Sequence, residues 1–187
     1  LLKLTPQEYY FGLIAIKHNP WKPGFDLRVF ELDVGKIVYT DPKRRFDFLE
    51  HISDVYVRAR GDSVISLLEN AGVALFETMV DTSSLQERIS KDVEAEGFDL
   101  ENLLYRWLES LLTLYYSERI MCKSIRVERL VVERQGEELR YSVVGRCLGE
   151  FFDPARHEGR VEVKAVTYSL MRIVKEDEWL AYFVLDI

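Results

Sequence analysis

The chain is poor in the residues from which catalytic and metal centres are most often assembled: 187 residues contain three histidines and two cysteines. His18, His51 and His157 stand far apart, which speaks against a histidine-rich metal site. Cys122 and Cys147 lack the paired spacing of a zinc knuckle or a redox Cys-x-x-Cys. Both fall in apolar-alternating segments and read as reduced core thiols, since a disulfide needs an oxidising compartment that nothing else in the sequence suggests. Also missing are a phosphate-cradling Gly-rich loop, a Gly-x-Ser-x-Gly elbow and a His-Glu-x-x-His helix, so catalysis by this chain alone has little to rest on. Apolar runs stay well short of the ~18 residues that a membrane span requires, and no charged-then-apolar leader opens the chain. The expectation is a cytoplasmic protein with no membrane partner. Basic residues are outnumbered as well. Lys and Arg total 25 against 32 Asp and Glu, a formal charge of −7. Tight RNA binding rests mainly on neutralising phosphates, which this balance does not favour.

What the chain does have is apolar material: 48% of residues are hydrophobic and 12% aromatic, enough for the core of one domain and against disorder over most of its length. Thr5-Pro6-Gln7-Glu8 reads as a capping box opening a short helix, which His18-Asn19-Pro20-Trp21-Lys22-Pro23-Gly24 is expected to break. Leu27 to Val34 and Lys36 to Thr40 read as two strands around Gly35. Residues 1 to 43 are therefore an expected appendage of helix plus hairpin, and residues 44 to 187 the main body.

In the body, strands are expected at Phe46 to Leu49 and Val55 to Ala59. The second turns Val55, Val57 and Ala59 inward and Tyr56, Arg58 and Arg60 outward. Gly61-Asp62-Ser63 caps a helix to about Met79, with Val64, Leu68, Ala71, Leu75 and Met79 on one face. A strand follows near Ile89 to Ala95, and Asp99 caps a second helix to about Tyr116 with a wide leucine and tryptophan stripe. Strands are then expected over Ser124 to Glu133, Glu138 to Cys147, Val161 to Val166, Ser169 to Val174 and Leu180 to Asp186. Strands, two helices and then a long antiparallel run define an α+β fold, an antiparallel sheet with the two helices packed on one face.

Three groups of residues carry candidate chemistry. Glu50-His51-Ile52-Ser53-Asp54 puts two carboxylates and an imidazole in the link between the first two body strands. Leu185-Asp186-Ile187 ends the last strand, where Asp186 and the carboxylate of Ile187 bring two negative groups to one strand end. If Asp54 lies on the neighbouring strand, three carboxylates meet, which calls for a bound cation or raised pKa values. Oxygen donors suit Ca²⁺ or Mg²⁺ better than Zn²⁺. The plainer alternative is a pair of solvated strand-end acids. In the third group, His157 follows an Asp-Pro turn and reads as a surface turn residue, and Lys164 reads as the polar face of a strand. Seven arginines in the late strands, Arg126, Arg129, Arg134, Arg140, Arg146, Arg156 and Arg160, leave direct RNA binding as a weaker alternative.

Taken together, these segments resemble the archease family, small activators of the RtcB-type RNA ligase that joins tRNA halves. Glu50-His51-Ile52-Ser53-Asp54-Val55 resembles the family's opening Asp-His-Thr-Ala-Asp-Val, and Gly61-Asp62-Ser63 its helix entry. Gly149, Glu150, Asp153 and His157, the run Glu162 to Tyr168, and the ending Asp186-Ile187 match its later elements in order. Glu50 and Ile52 depart from the pattern, replacing Asp and Thr. The resemblance implies an SHS2-type domain with a divalent-cation site at Asp54, Asp186 and Ile187. Glu50, His51, His157 and Lys164 are further candidates for the same surface. It also implies a protein that acts on the ligase and touches tRNA only indirectly, promoting ligase guanylylation and multiple turnover and broadening nucleotide use. Two alternatives stay open: a metal-dependent phosphoesterase or nucleotide hydrolase using the same acids, and a metal-independent protein-interaction module.

Overall fold

The computed structural model describes residues 36–187. The expected helix opened by Thr5-Pro6 and the strand Leu27 to Val34 lie outside the described residues. Eight strands and two α-helices follow in order: β1 Ile37–Thr40, β2 Phe46–Leu49, β3 Val55–Gly61, α1 Val64–Met79, β4 Ile89–Gly97, α2 Leu100–Glu118, β5 Ile120–Gln135, β6 Glu138–Phe151, β7 Ala165–Lys175 and β8 Trp179–Asp186. All strand pairings are antiparallel, so the α+β class is as the sequence led one to expect. The strands form two sheets, however, a five-stranded one in the order β1-β2-β3-β8-β7 and a three-stranded one in the order β4-β6-β5.

Both helices contact both sheets. α1 packs on β3 and β8 of the larger sheet and on β5 of the smaller, while α2 packs on β7 and on β4, β5 and β6. That sharing explains why α1 is buried continuously from Ala71 to Met79 rather than along a single stripe. Gly72 lets α1 approach closely, because a Cβ there would lie 2.4 Å from Ile125 Cδ1. Each helix starts where the sequence places a cap. The Ser63 hydroxyl accepts from Ser66 N–H, and Asp99 from Asn102 N–H, satisfying first-turn amides that have no helical partner. The indole of Trp107 on α2, fully buried, donates to the Leu68 carbonyl of α1 at 3.1 Å.

Register sorts the larger sheet's side chains. Phe48, Val57 and Phe183 lie side by side on the helix-facing side, next to Ala59 and Ala181. Tyr56 points to the opposite face, as its alternation demands, yet it is buried there in a second apolar cluster with Leu49, Leu180, Tyr182 and Val184. The Arg172 guanidinium stacks over the Tyr182 ring at 4.1 Å, so the outer face is built from aromatic and cationic groups packed together. On the same face Asp47 is fully buried and accepts from Thr40 Oγ1 (2.8 Å), Arg58 Nε (2.8 Å) and Arg60 Nη2 (2.5 Å).

Several details differ from the sequence reading. Ile37–Thr40, grouped there with the appendage, is hydrogen-bonded to β2 as a strand of the body's own sheet. Its connection runs through Asp41, which accepts from the Lys43 and Arg45 amides and from the Arg45 guanidinium, making a tight charged turn. The strand expected from Val161 begins only at Ala165, and the two late strands expected on either side of Thr167 to Ser169 are one strand with an irregularity between Thr167 and Arg172. There Leu170 adopts a φ of 54°, a left-handed backbone that breaks the alternation. Cys122 and Cys147 are not reduced thiols. They are joined by a disulfide with a Cα–Cα distance of 5.3 Å, and both are fully buried. Cys122 pairs opposite Gly149, and the bulge just after it brings it beside Cys147 two positions along β6. That proximity is a property of strand register, so the spacing in sequence gave no sign of it.

Candidate functional site

The site expected from sequence depends on where β3 starts and β8 ends. Val55 at the start of β3 pairs with Leu185 near the end of β8. Asp54, one residue before β3, and Asp186, the last residue of β8, therefore sit at the same end of two adjacent strands. β7 closes the other flank, with Ala165 opposite Asp186. The Lys164 amide donates to the Asp186 carbonyl at 2.8 Å, and its ammonium donates to a main-chain oxygen of Ile187 at 2.8 Å. Lys164 is thus not simply a residue of a strand's polar face. It holds the last residue against the site.

The loop before β3 is fixed at its start, where the Glu50 amide donates to the Lys36 carbonyl at 2.7 Å. His51 stacks obliquely near Tyr56, with ring centres 6.2 Å apart, and its Nδ1 is 3.8 Å from Asp54 Oδ2. Ser53 Oγ donates to the same Asp54 oxygen at 3.2 Å. Glu50 is exposed, and Ile52 stands fully out in solvent. Among the described residues no three His, Cys, Asp or Glu side chains come close enough to form a metal cluster. The donors gathered at this end are two side-chain carboxylates and the Ile187 main-chain oxygens. They are oxygens only, on partly exposed residues, and chemically suited to a hard cation such as Ca²⁺ or Mg²⁺.

His157 belongs elsewhere. It is buried, not a surface turn residue. Its Nδ1 accepts from the Asp153 amide at 3.0 Å, so Nε2 carries the proton and donates to Glu150 Oε1 at 3.1 Å. Burial opposes ionisation of Glu150, but the Gln86 amide, the Arg156 guanidinium and His157 together hold its carboxyl below the usual range. The pair fastens the turn after β6, which then passes the end of α1: the Arg160 amide donates to the Met79 carbonyl at 2.8 Å. Gly149 just before it is required by space, because a Cβ would lie 1.8 Å from the Met121 carbonyl oxygen. Glu150, Gly149 and His157 thus shape the path that delivers Lys164 to Ile187.

Glu77 and Arg160 escaped the sequence reading as a pair. Glu77 is 5% exposed on α1, accepts from the Thr82 amide (3.1 Å) and hydroxyl, and receives Arg160 Nη1 at 2.6 Å. A single acid inside the otherwise apolar run Ala71 to Met79 was the available signal. Four of the seven late-strand arginines are paired: Arg140 with Glu96, Arg146 with Asp92 and Glu128, Arg156 with Glu150 and Arg160 with Glu77. Such pairing offsets part of the positive charge that direct RNA binding would use.

The geometry describes a small α+β domain whose acidic end is composed by the register of two central strands. Residues 46–187 match the model of the Archease protein family (MTH1598/TM1083), and the chain belongs to that family. It is 41% identical over 145 residues to "Protein archease" of Sulfurisphaera tokodaii, covering 77% of this chain and 99% of that relative. It is 31% identical over 155 residues to "Protein archease-like" of Drosophila melanogaster, covering 82% and 96%. The solution structure of Methanobacterium thermoautotrophicum Protein 1598 is similar with a TM-score of 0.61 at 30% identity, covering 76% of this chain and 99% of that one. Among the described residues no helix is long and apolar enough to cross a membrane.

Proposed function

We propose that this chain is a protein cofactor of an RtcB-type tRNA-splicing ligase, promoting guanylylation of the ligase and its multiple turnover, with the β3–β8 end as its working surface. Family membership supports the partner, and the pairing of Val55 with Leu185 carries the choice of surface, because it sets Asp54 beside Asp186. In this reading Asp54, Asp186 and a main-chain oxygen of Ile187 hold a divalent cation, Ca²⁺ or Mg²⁺. When bound, such an ion supplies charge neutralisation and orientation for phosphate oxygens. The chain's own residues do the rest. Lys164 keeps the last residue in place, Ser53 orients the Asp54 carboxylate, and Glu50 and His51 border the surface offered to the ligase. An acidic end approaching a phosphate-binding, basic ligase mouth also gains rate from complementary fields. The proposal places the protein with the ligase in the cytoplasm, where full burial of Cys122 and Cys147 shields their bond from thiol reductants.

The test is ligation with purified ligase held substoichiometric to RNA. Asp54→Ala and Asp186→Ala proteins that remain folded are expected to lose most of the stimulation of turnover, and stimulation equal to the unaltered chain refutes the assignment. A second reading, a metal-independent interaction module, has one observation in its favour: Lys164 already supplies a cation to the Ile187 oxygen. In that case chelation of divalent ions leaves ligase binding and stimulation unchanged.

A further inference from the structure

Beside Asp54 lies a cavity of about 360 Å³ that the cation reading does not use. Its walls are largely carbon, from Val38, Phe48, Val55 and Val161. At its base Arg160 is committed to Glu77, donating to the carboxylate at 2.6 Å and to the Glu77 carbonyl at 2.8 Å, so that pair contributes no net charge. Glu50, which the cation reading leaves free, is exposed at the cavity's edge, so the opening is apolar within and negative at the rim. Exposed apolar residues gather at the same end: Val38, Val161 and, between His51 and Asp54, the fully exposed Ile52. Apolar side chains clustered at a negatively rimmed opening are unlike the scattered exposed hydrophobics of an inert surface.

Resting on the ligase reading above, we propose that this cavity is the socket for one large apolar side chain carried on a basic segment of the ligase. The apolar walls desolvate the anchor, and the basic neighbours of that anchor meet Glu50, with Asp54 left to the cation, the arrangement of a buried hot spot within a polar rim. A second copy of this chain fits poorly, because it would bring another acidic rim, on a chain of net charge −7, against the first. The socket supplies affinity, whereas the strand-end carboxylates act in stimulation.

The experiment measures the dissociation constant of the full chain with purified ligase, for the unaltered protein, Val38→Glu, Val161→Glu and, on another surface, Phe98→Glu. Val38, Val161 and Phe98 are all exposed, so the folded core is not disturbed, and circular dichroism checks this for each. Val38→Glu and Val161→Glu are expected to weaken binding at least tenfold at moderate salt, with Phe98→Glu within twofold of the unaltered chain. Binding within twofold for both pocket variants overturns the socket and leaves the activator reading standing, as does a loss of the same size in Phe98→Glu. An unaltered chain that neither binds nor stimulates the ligase overturns both.

Discussion

Asp47→Asn is the most informative single perturbation of the scaffold that carries the site. Asp47 lies on β2, pairs opposite Arg58 on β3, and is fully buried, while the side chains of Arg58 and Arg60 are only 15% and 18% exposed. Burial raises its pKa, but hydrogen bonds from Arg58, Thr40 and Arg60 overcome that and hold the carboxyl below its ordinary value. The substitution keeps shape and removes charge, so two largely buried guanidinium groups lose their common anion. Breaking a buried pair in this way costs about 3–5 kcal/mol, and the amide oxygen of Asn recovers part of a hydrogen bond, leaving roughly 2–3 kcal/mol. For a domain of this size that is a fall of roughly 5–10 °C in Tm. The pH dependence has a definite sign. A carboxyl whose pKa is lowered on folding contributes stability that is present above its unfolded value, near 3.9, and is lost as pH falls through the folded value. Urea unfolding at pH 7 is therefore expected to show the full gap between the two proteins, narrowing steadily below about pH 4. A gap under ~0.5 kcal/mol at pH 7, or one that stays constant down to pH 3, refutes the account of Asp47 as the shared anion of this face.

Other outcomes follow from the same structure. Replacing both Cys122 and Cys147 by alanine opens a cross-link spanning 25 residues, for which loop entropy gives about 3.5 kcal/mol of lost stability in urea unfolding; equal midpoints would show that the bond adds nothing. Lys164→Met removes an exposed positive charge in contact with the Ile187 oxygen. It is expected to weaken Ca²⁺ binding by calorimetry, because Ile187 loses the contact that positions it; binding tightened roughly fivefold, the effect of ~1 kcal/mol for adjacent unit charges in water, would mean that the ammonium only competes with the ion. Asp186→Asn removes one side-chain carboxylate and is expected to reduce Ca²⁺ affinity at least tenfold by calorimetry, whereas unchanged affinity removes Asp186 from the ligand set.

Much of this protein was legible in the order of its residues because the forces involved are local. Alternation in Val55 to Ala59 and the four-three spacing of α1 reflect the geometry of a strand and of a helix, so they marked elements that the structure contains. Ser63 and Asp99 marked helix starts for the same reason, since a cap bonds amides two or three positions away. The ordered motif from Glu50 to Ile187 carried the family. Other features required the fold. The burial of Tyr56 depends on Tyr182 and Leu180, more than a hundred residues distant. The Cys122–Cys147 bond depends on a bulge in β5, and the role of His157 on Glu150 and the Asp153 amide meeting around its ring. Most of all, Asp54 and Asp186 are neighbours only because β3 and β8 pair in one particular register. A shift by a single residue would turn every side chain of β8 to the other face, and the buried apolar pairs Val57–Phe183 and Ala59–Ala181 hold it where it is.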